Sequence, residues 1–272
     1  MTTYILDTVD ANDAEHCIAF SDLATSKDEV RQIKSLSYEK LLLQPGHRVL
    51  DVGCGAGEDV RAMAQLVGPI GKAVGLDSNR KKLSQAREQA TQRGLSTTFR
   101  HGDAYALPFD SNSFDACRAE CLLHVLERPG AALKEMVRVT QPGGRIVVSE
   151  PDWDTLEVNC DEDSLTRRIM WKKLGPAASK TVGSRLPALF CCASLLVDEV
   201  ETAKLEIRDL DTAYRLFDLK GAAEDAVAVG RVTDRDADDW LSSLAKAERF
   251  GRFRCTLTSY ICSGVKPSLL YA

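Results

Sequence analysis

The chain has 272 residues, of which 44% are apolar and 28% charged, with a formal net charge of −5. That is the length of one large domain with enough apolar surface to fold without disulfides or a structural metal. The mildly acidic balance argues against a dedicated nucleic-acid binder, which shows a basic excess or patch, and leaves small substrates open.

The first 45 residues are polar and mixed until Asp28–Leu43, where Val30, Ile33, Leu36, Leu41 and Leu42 recur among charges as on an amphipathic helix. Pro45-Gly46 stops it. A rhythm of strands and helices follows. Strands are expected at Arg48–Asp51, Lys72–Asp77, Thr97–His101, Phe114–Ala119 and Arg145–Ser149, and helices at Glu58–Val67, Arg80–Arg93 and Ala131–Thr140. Glycines end the first two of these helices, and Pro142-Gly143-Gly144 reads as a turn. Strands alternating with helices at this spacing imply a parallel sheet with helices on both faces.

The rhythm breaks after Glu150. Helices are expected at Asp161–Leu174 (capped by Asp163 or Ser164), Leu186–Ala193, Asp211–Gly230 and Thr233–Phe250, the last with a Thr233/Asp236 cap. Val200–Ile207 and Arg254–Val265 read as strands, an antiparallel hairpin at one sheet edge carrying the helices between them. The cysteines, nine in all, form no CxxC pair, and Cys191 and Cys192 are adjacent. They read as reduced, mostly buried thiols. Met1–Asp10 lacks a basic-then-apolar leader, and the longest apolar stretch, Ala188–Val197, is about half a membrane span. A cytoplasmic protein with no membrane partner is expected.

The chemistry centres on Asp51-Val52-Gly53-Cys54-Gly55-Ala56-Gly57, at a strand-turn-helix junction. Glycines there let the backbone approach a ligand closely. Asp77 ends the second strand, about twenty residues on, where a carboxylate can accept both ribose hydroxyls. Asp103 follows the third strand, so all three features sit at carboxyl ends of neighbouring strands, where open α/β sheets bind ligands.

Val49–Gly57 (VLDVGCGAG), the VGLD ending at Asp77, and Gly102-Asp103-Ala104 followed by Leu107-Pro108-Phe109 and Ser113-Phe114-Asp115 form an ordered set with Gln141-Pro142-Gly143-Gly144. In this set the chain resembles the class I S-adenosylmethionine (SAM) dependent methyltransferases, over about Leu41–Pro151. Its nearest likeness is to small-molecule enzymes of the quinone-biosynthesis and natural-product type. The resemblance implies a Rossmann-like doubly wound α/β sheet, mostly parallel with an antiparallel last strand, plus N-terminal helices and a helical lid. It would be a single domain over 1–272: an N-terminal cap (1–45), a SAM-binding core (46–151) and a substrate-facing part (152–272) with its insertion at about 209–252.

By the same resemblance, Gly53, Cys54 and Gly55 would lie against the amino-acid end of SAM, and Asp51 would orient the loop or reach the amino group. Asp77 would hold the ribose, with Ser78 flanking the adenine. Asp103 and Ala104 would bind the adenine, and Ala119 and Glu120 would border the methionine moiety. Arg31 and Tyr38 would close over SAM, Arg31 pairing with its carboxylate. The rival reading is an NAD(P)-dependent oxidoreductase. Its fingerprint needs a small third residue where this chain has Glu58, and a carboxylate repels a pyrophosphate. A non-catalytic SAM-binding protein is a further alternative.

An acceptor with a proton to lose benefits from a base, usually His. Among His16, His47, His101 and His124, the last lies just beyond the fourth strand and is the candidate base. Related enzymes often have two adjacent histidines here; this chain has His124 then Val125. Glu150, ending the fifth strand at the next sheet position, is placed to orient His124. Trp153, Trp171 and Phe190 are candidates for the acceptor wall. Cys117, Cys121 and His124 have no matching pair elsewhere, so no metal is expected. The expected partner is a small-molecule methyl acceptor, not nucleic acid; a homodimer is compatible with the sequence, which leaves the acceptor atom open among O, N and C.

Overall fold

Alternating apolar strands and amphipathic helices give α1 (Asp28–Lys40), β1 (Arg48–Val52), α2 (Glu58–Val67), β2 (Lys72–Asp77), α3 (Arg80–Gln92), β3 (Thr97–His101), β4 (Phe114–Glu120) and a 3₁₀ turn (Leu123–Val125). Then come α4 (Pro129–Val139), β5 (Thr140–Val158), α5 (Asp163–Met170), α6 (Val182–Cys192), β6 (Leu196–Ile207), α7 (Leu210–Phe217), α8 (Leu219–Ala228), α9 (Asp234–Arg249) and β7 (Cys255–Val265). This computed structural model describes residues 28–158, 163–170 and 181–268. Met1–Asp10, His16, Trp171 and the outer ends of the helix expected at Asp161–Leu174 lie outside the described residues.

The strands form one sheet of seven in the order β3-β2-β1-β4-β5-β7-β6. β7 runs antiparallel to both its neighbours, and the other pairings are parallel. The expected mostly parallel sheet with an antiparallel last strand is therefore observed. Period-two alternation sends Leu50, Val52, Val74 and Leu76 to one face, against Met136 of α4 and Leu186 and Phe190 of α6. It sends Val49 and Ala73 to the other, against Ile33 of α1, Met63 of α2 and Leu83 of α3.

Several boundaries differ from the sequence expectation: α6 begins at Val182 and β6 at Leu196, each four residues early, and β5 runs from Thr140 to Val158. The Pro142–Gly144 segment continues β5 rather than turning, because the Gly143 N–H donates to the Lys266 carbonyl at 2.8 Å and the Lys266 N–H to the Gly144 carbonyl at 3.0 Å. The helix expected over Asp211–Gly230 is two, broken at Asp218, whose φ of 43° is left-handed and whose carboxylate caps α8 through Gly221 N–H. Thr233 and Asp236 form the expected reciprocal cap of α9.

β5, β6 and β7 run on past the parallel sheet into a third apolar cluster with α5 and α7–α9. Trp240 lies at its centre, 1% exposed, and donates its indole N–H to Thr166 Oγ1 at 2.9 Å. Val30 of α1 and Trp153 of β5 pack against the same cluster. Phe190, a candidate for the acceptor wall, is instead fully buried beneath the sheet with Leu186.

Gly57 holds φ at +74°, and a Cβ there would come within 2.5 Å of Phe99 Cε1 and 2.9 Å of Ala86 Cβ. Gly57→Ala should cost about 2 kcal/mol or more, from left-handed strain plus overpacking. Urea unfolding checks this; an unchanged midpoint would contradict the packing.

Candidate functional site

The carboxyl ends of β1, β2, β4 and β5 carry the polar residues. After β1 the chain turns through Gly53 (φ +78°), Gly55 (φ +52°) and Gly57 into α2. Gly53 and Cys54 N–H groups both donate to the Leu76 carbonyl, at 2.8 and 3.0 Å, which fixes the loop beside β2. Gly55 faces open space, with no atom within 4 Å of where its Cβ would be. Its N–H donates to Asp77 Oδ2 at 2.8 Å, and the Asn79 N–H to Asp77 Oδ1 at 2.7 Å.

This cradle fits SAM. Each Asp77 oxygen takes one backbone N–H and keeps a lone pair free, as two ribose hydroxyls require. The open backbone at Gly55 admits a ligand where any side chain would intrude. Glu58 and Asp59 occupy the first turn of α2, which repels a phosphate and suits a ligand carrying a cationic end. The NAD(P) alternative finds no support in this geometry. Asp103 is exposed, and its Oδ1 accepts from the Tyr105 N–H at 2.8 Å. Ala104 packs against the core while Ser78 is exposed. Ala119 is fully buried, so only its backbone borders the site.

Beneath the loop lies a buried ionic cluster. Arg118 of β4, 0% exposed, places Nη1 3.2 Å from Asp51 Oδ1 and 3.3 Å from Asp59 Oδ2. Its Nη2 pairs with Glu120, its Nε donates to Ser37 Oγ at 2.9 Å, and it stacks on the Tyr38 ring at 5.2 Å. Lys34 reaches Asp59 at 2.7 Å and Glu120 at 3.2 Å, and Tyr38 OH donates to Asp59. Arg31, expected at the SAM carboxylate, instead pairs with Asp28 on the outer side of α1; the α1 cation that points inward is Lys34. Sequence reasoning missed Lys34, Asp59 and Arg118. The available signal was Arg118 itself, an arginine inside a central strand, which must find anions.

Across the sheet, Glu150 ends the parallel part of β5 with no solvent contact. Its Oε1 accepts from Leu122 N–H at 2.8 Å and Leu123 N–H at 2.6 Å, and its Oε2 lies 2.6 Å from His124 Nδ1. The turn that presents His124 begins at Cys121, whose φ of 51° reverses the chain after β4. Trp153 lies beside the pair, its ring 6.2 Å from His124 and 6.2 Å from Phe217 of α7. The Trp153 indole N–H is buried and unpaired among the described residues. His101 and His47 lie away from this pair, on β3 and before β1. No group of metal-ligating side chains occurs among the described residues. Nor is any described helix long and apolar enough to cross a membrane. Cys54 and Cys117 are buried, whereas Cys121, Cys191 and Cys192 are exposed.

A methyltransferase-domain family model matches residues 43–184. An uncharacterized 37.1 kDa protein in transposon TN4556 of Streptomyces fradiae is 31% identical over 247 residues, covering 90% of this chain and 70% of that one. The demethylmenaquinone methyltransferase of Anoxybacillus flavithermus is 38% identical over 119 residues, 43% of this chain; the match spans 50% of that enzyme's length. Among solved structures, the YcgJ protein of Bacillus subtilis superposes with a TM-score of 0.62 at 20% identity, covering 88% of this chain and 99% of that one.

The cluster sets three carboxylates, Asp51, Asp59 and Glu120, against the two cations Arg118 and Lys34. Burial pushes Asp51 up to about 7 in spite of Arg118. Asp59, less deeply buried, is held below the usual carboxylate range by Arg118 and Lys34. Between about pH 4 and pH 7 the folded chain thus keeps a proton on Asp51 that the unfolded chain releases, so this group destabilises the fold progressively as pH rises. Asp51→Asn removes that titration. Its stability relative to the parent should grow by about 3 kcal/mol from pH 4.5 to pH 8, read by urea unfolding at both values; a difference that stays flat or shrinks would contradict the assignment.

Proposed function

Because the chain belongs to the methyltransferase-domain family and is a class I SAM-dependent enzyme, we propose that it methylates an O, N or C atom of a small organic metabolite with His124 as the base. The observation that carries the base assignment is the 2.6 Å contact between His124 Nδ1 and a fully buried Glu150. A carboxylate already accepting three backbone N–H groups takes a fourth donor there, so Nδ1 carries hydrogen and Nε2 presents its lone pair.

Bound SAM supplies an electrophilic methyl on a sulfonium. Gly53, Cys54 and Gly55 would border its amino-acid end, Asp77 would accept from its ribose, and Asp103 with Ala104 would meet the adenine. His124 Nε2 takes the acceptor's proton as the new bond to methyl forms, and Glu150 stabilises the resulting imidazolium through Nδ1–H. Trp153 of β5 and Phe217 of the helical insertion form an apolar wall beside the pair that keeps water from the acceptor. The likeness to a demethylmenaquinone methyltransferase supports a small acceptor, as does the net charge of −5.

Screening small-molecule extracts with isotopically labelled SAM identifies the acceptor. On it, His124→Ala should lower turnover by about 10²–10⁴-fold while S-adenosylhomocysteine affinity stays within about twofold; full activity would remove His124 as base. Asp77→Ala should weaken S-adenosylhomocysteine binding by about tenfold or more in calorimetry, the loss of charge-assisted hydrogen bonds. Binding of NAD but of neither adenosyl ligand by the parent chain would overturn the cofactor placement.

A further inference from the structure

The connection from β3 to β4, residues 102–113, contains no helix. The sheet face over β1–β3 is therefore covered there by loop side chains, Leu107 and Phe109 among them, while α4 and α6 cover β4, β5 and β7. The incomplete cover leaves a groove of about 260 Å³ whose floor includes Val74 and Phe114 and whose rim carries Arg48, Lys72 and Arg100. Lys72 opens β2 and Asp77 closes it, so the ammonium end of the groove lies about 17 Å along a rigid strand from the SAM cradle.

Two of the three cations are held by aromatic rings, and all three lack counter-ions among the described residues. Arg48 stacks over the Phe114 ring at 5.5 Å and Arg100 over Phe109 at 5.1 Å, and the two rings pack edge to face at 5.0 Å. Arg100 also donates to the Pro108 carbonyl at 2.9 Å. Among the described residues none of Arg48, Lys72 and Arg100 is ion-paired. Asp115, next to Phe114, gives one oxygen to the Arg48 backbone N–H and the other to the Gln141 amide instead. Stacking leaves guanidinium N–H groups free at the edges, where a planar anion can take two of them.

We propose that this groove is a binding site for a small organic anion: a carboxylate or phosphate carried on a flat apolar body. Its anionic group lies among Arg48, Lys72 and Arg100, and its body lies along the aromatic floor. A cavity of about 150 Å³ holds benzene, so this one has room for a single ring with its charged group. The site is separate from methyl transfer and independent of the acceptor. Phe109 shares the β3–β4 loop with Asp103 and Ala104, which gives an occupant of the groove a direct mechanical route to the adenine end of the cradle.

Calorimetric titration of the full chain with benzoate, phenyl phosphate, inorganic phosphate and benzyl alcohol tests it. Benzoate and phenyl phosphate should bind saturably, with inorganic phosphate at least tenfold weaker and benzyl alcohol not binding. Lys72→Ala, whose side chain supports no ring, should weaken both aryl anions several-fold, and Arg48→Ala/Lys72→Ala at least tenfold, with S-adenosylhomocysteine affinity unchanged. Equal aryl-anion binding by parent and both variants would overturn the site, as would the absence of saturable binding. Inorganic phosphate binding as tightly as phenyl phosphate would overturn the organic body, and benzyl alcohol matching benzoate would overturn the role of charge.

Discussion

A guanidinium without solvent contact at the centre of the sheet is the constraint around which this site is arranged. Arg118 bonds to Ser37 of α1, Asp51 of β1, Asp59 of α2 and Glu120 of its own strand. Burying it is costly unless its partners are well placed, so the four elements hold one arrangement. Asp51 and Asp59 flank the glycine loop, and one nitrogen of Arg118 reaches both. The loop is therefore clamped at its entry and its exit, while the stretch between, glycine-rich and open at Gly55, stays available to a ligand. Such pre-ordering spares binding the cost of fixing the backbone.

The clamp also leaves the cluster one positive charge short. The misfit falls on Asp51, the carboxylate with the least help, and not on Asp59, which two cations and a tyrosine hold. With a proton on Asp51 the two cations balance Asp59 and Glu120, and the negative sign left beside the cradle open at Gly55 is that of Glu58. That sign at the start of α2 sets the cradle apart from the phosphate-binding version of this strand-turn-helix junction.

The sheet was legible in the sequence because its strands alternate with helices and several of the junctions are marked by glycine or proline. The glycine loop, the acid ending β2, and the neighbouring positions of His124 and Glu150 followed from strand ends alone. What escaped was the choice among residues on one helix. Arg31 and Lys34 are three apart on α1, and which of them turns inward depends on how the helix sits on β5–β7, a tertiary matter that composition does not encode. The break at Asp218 was hidden for a related reason: the side chain that stops α7 also caps α8, so the apolar pattern runs on without interruption. Arg118 was readable as an anomaly, but its partners, 67 and 81 residues away at Asp51 and Ser37, were not.

The strand that ends its parallel run with Glu150 continues through Trp153 into the apolar cluster of the helical insertion, and β7 pairs with it along both stretches, across the irregularity between Asp152 and Glu157. The strand behind His124 and the insertion's apolar cluster are thus joined by one piece of backbone. The insertion is not an exchangeable module: replacing it wholesale would disturb the register that positions the carboxylate behind His124. Change in this architecture is steered to single side chains, such as Phe217 beside Trp153, where the backbone frame can stay as it is.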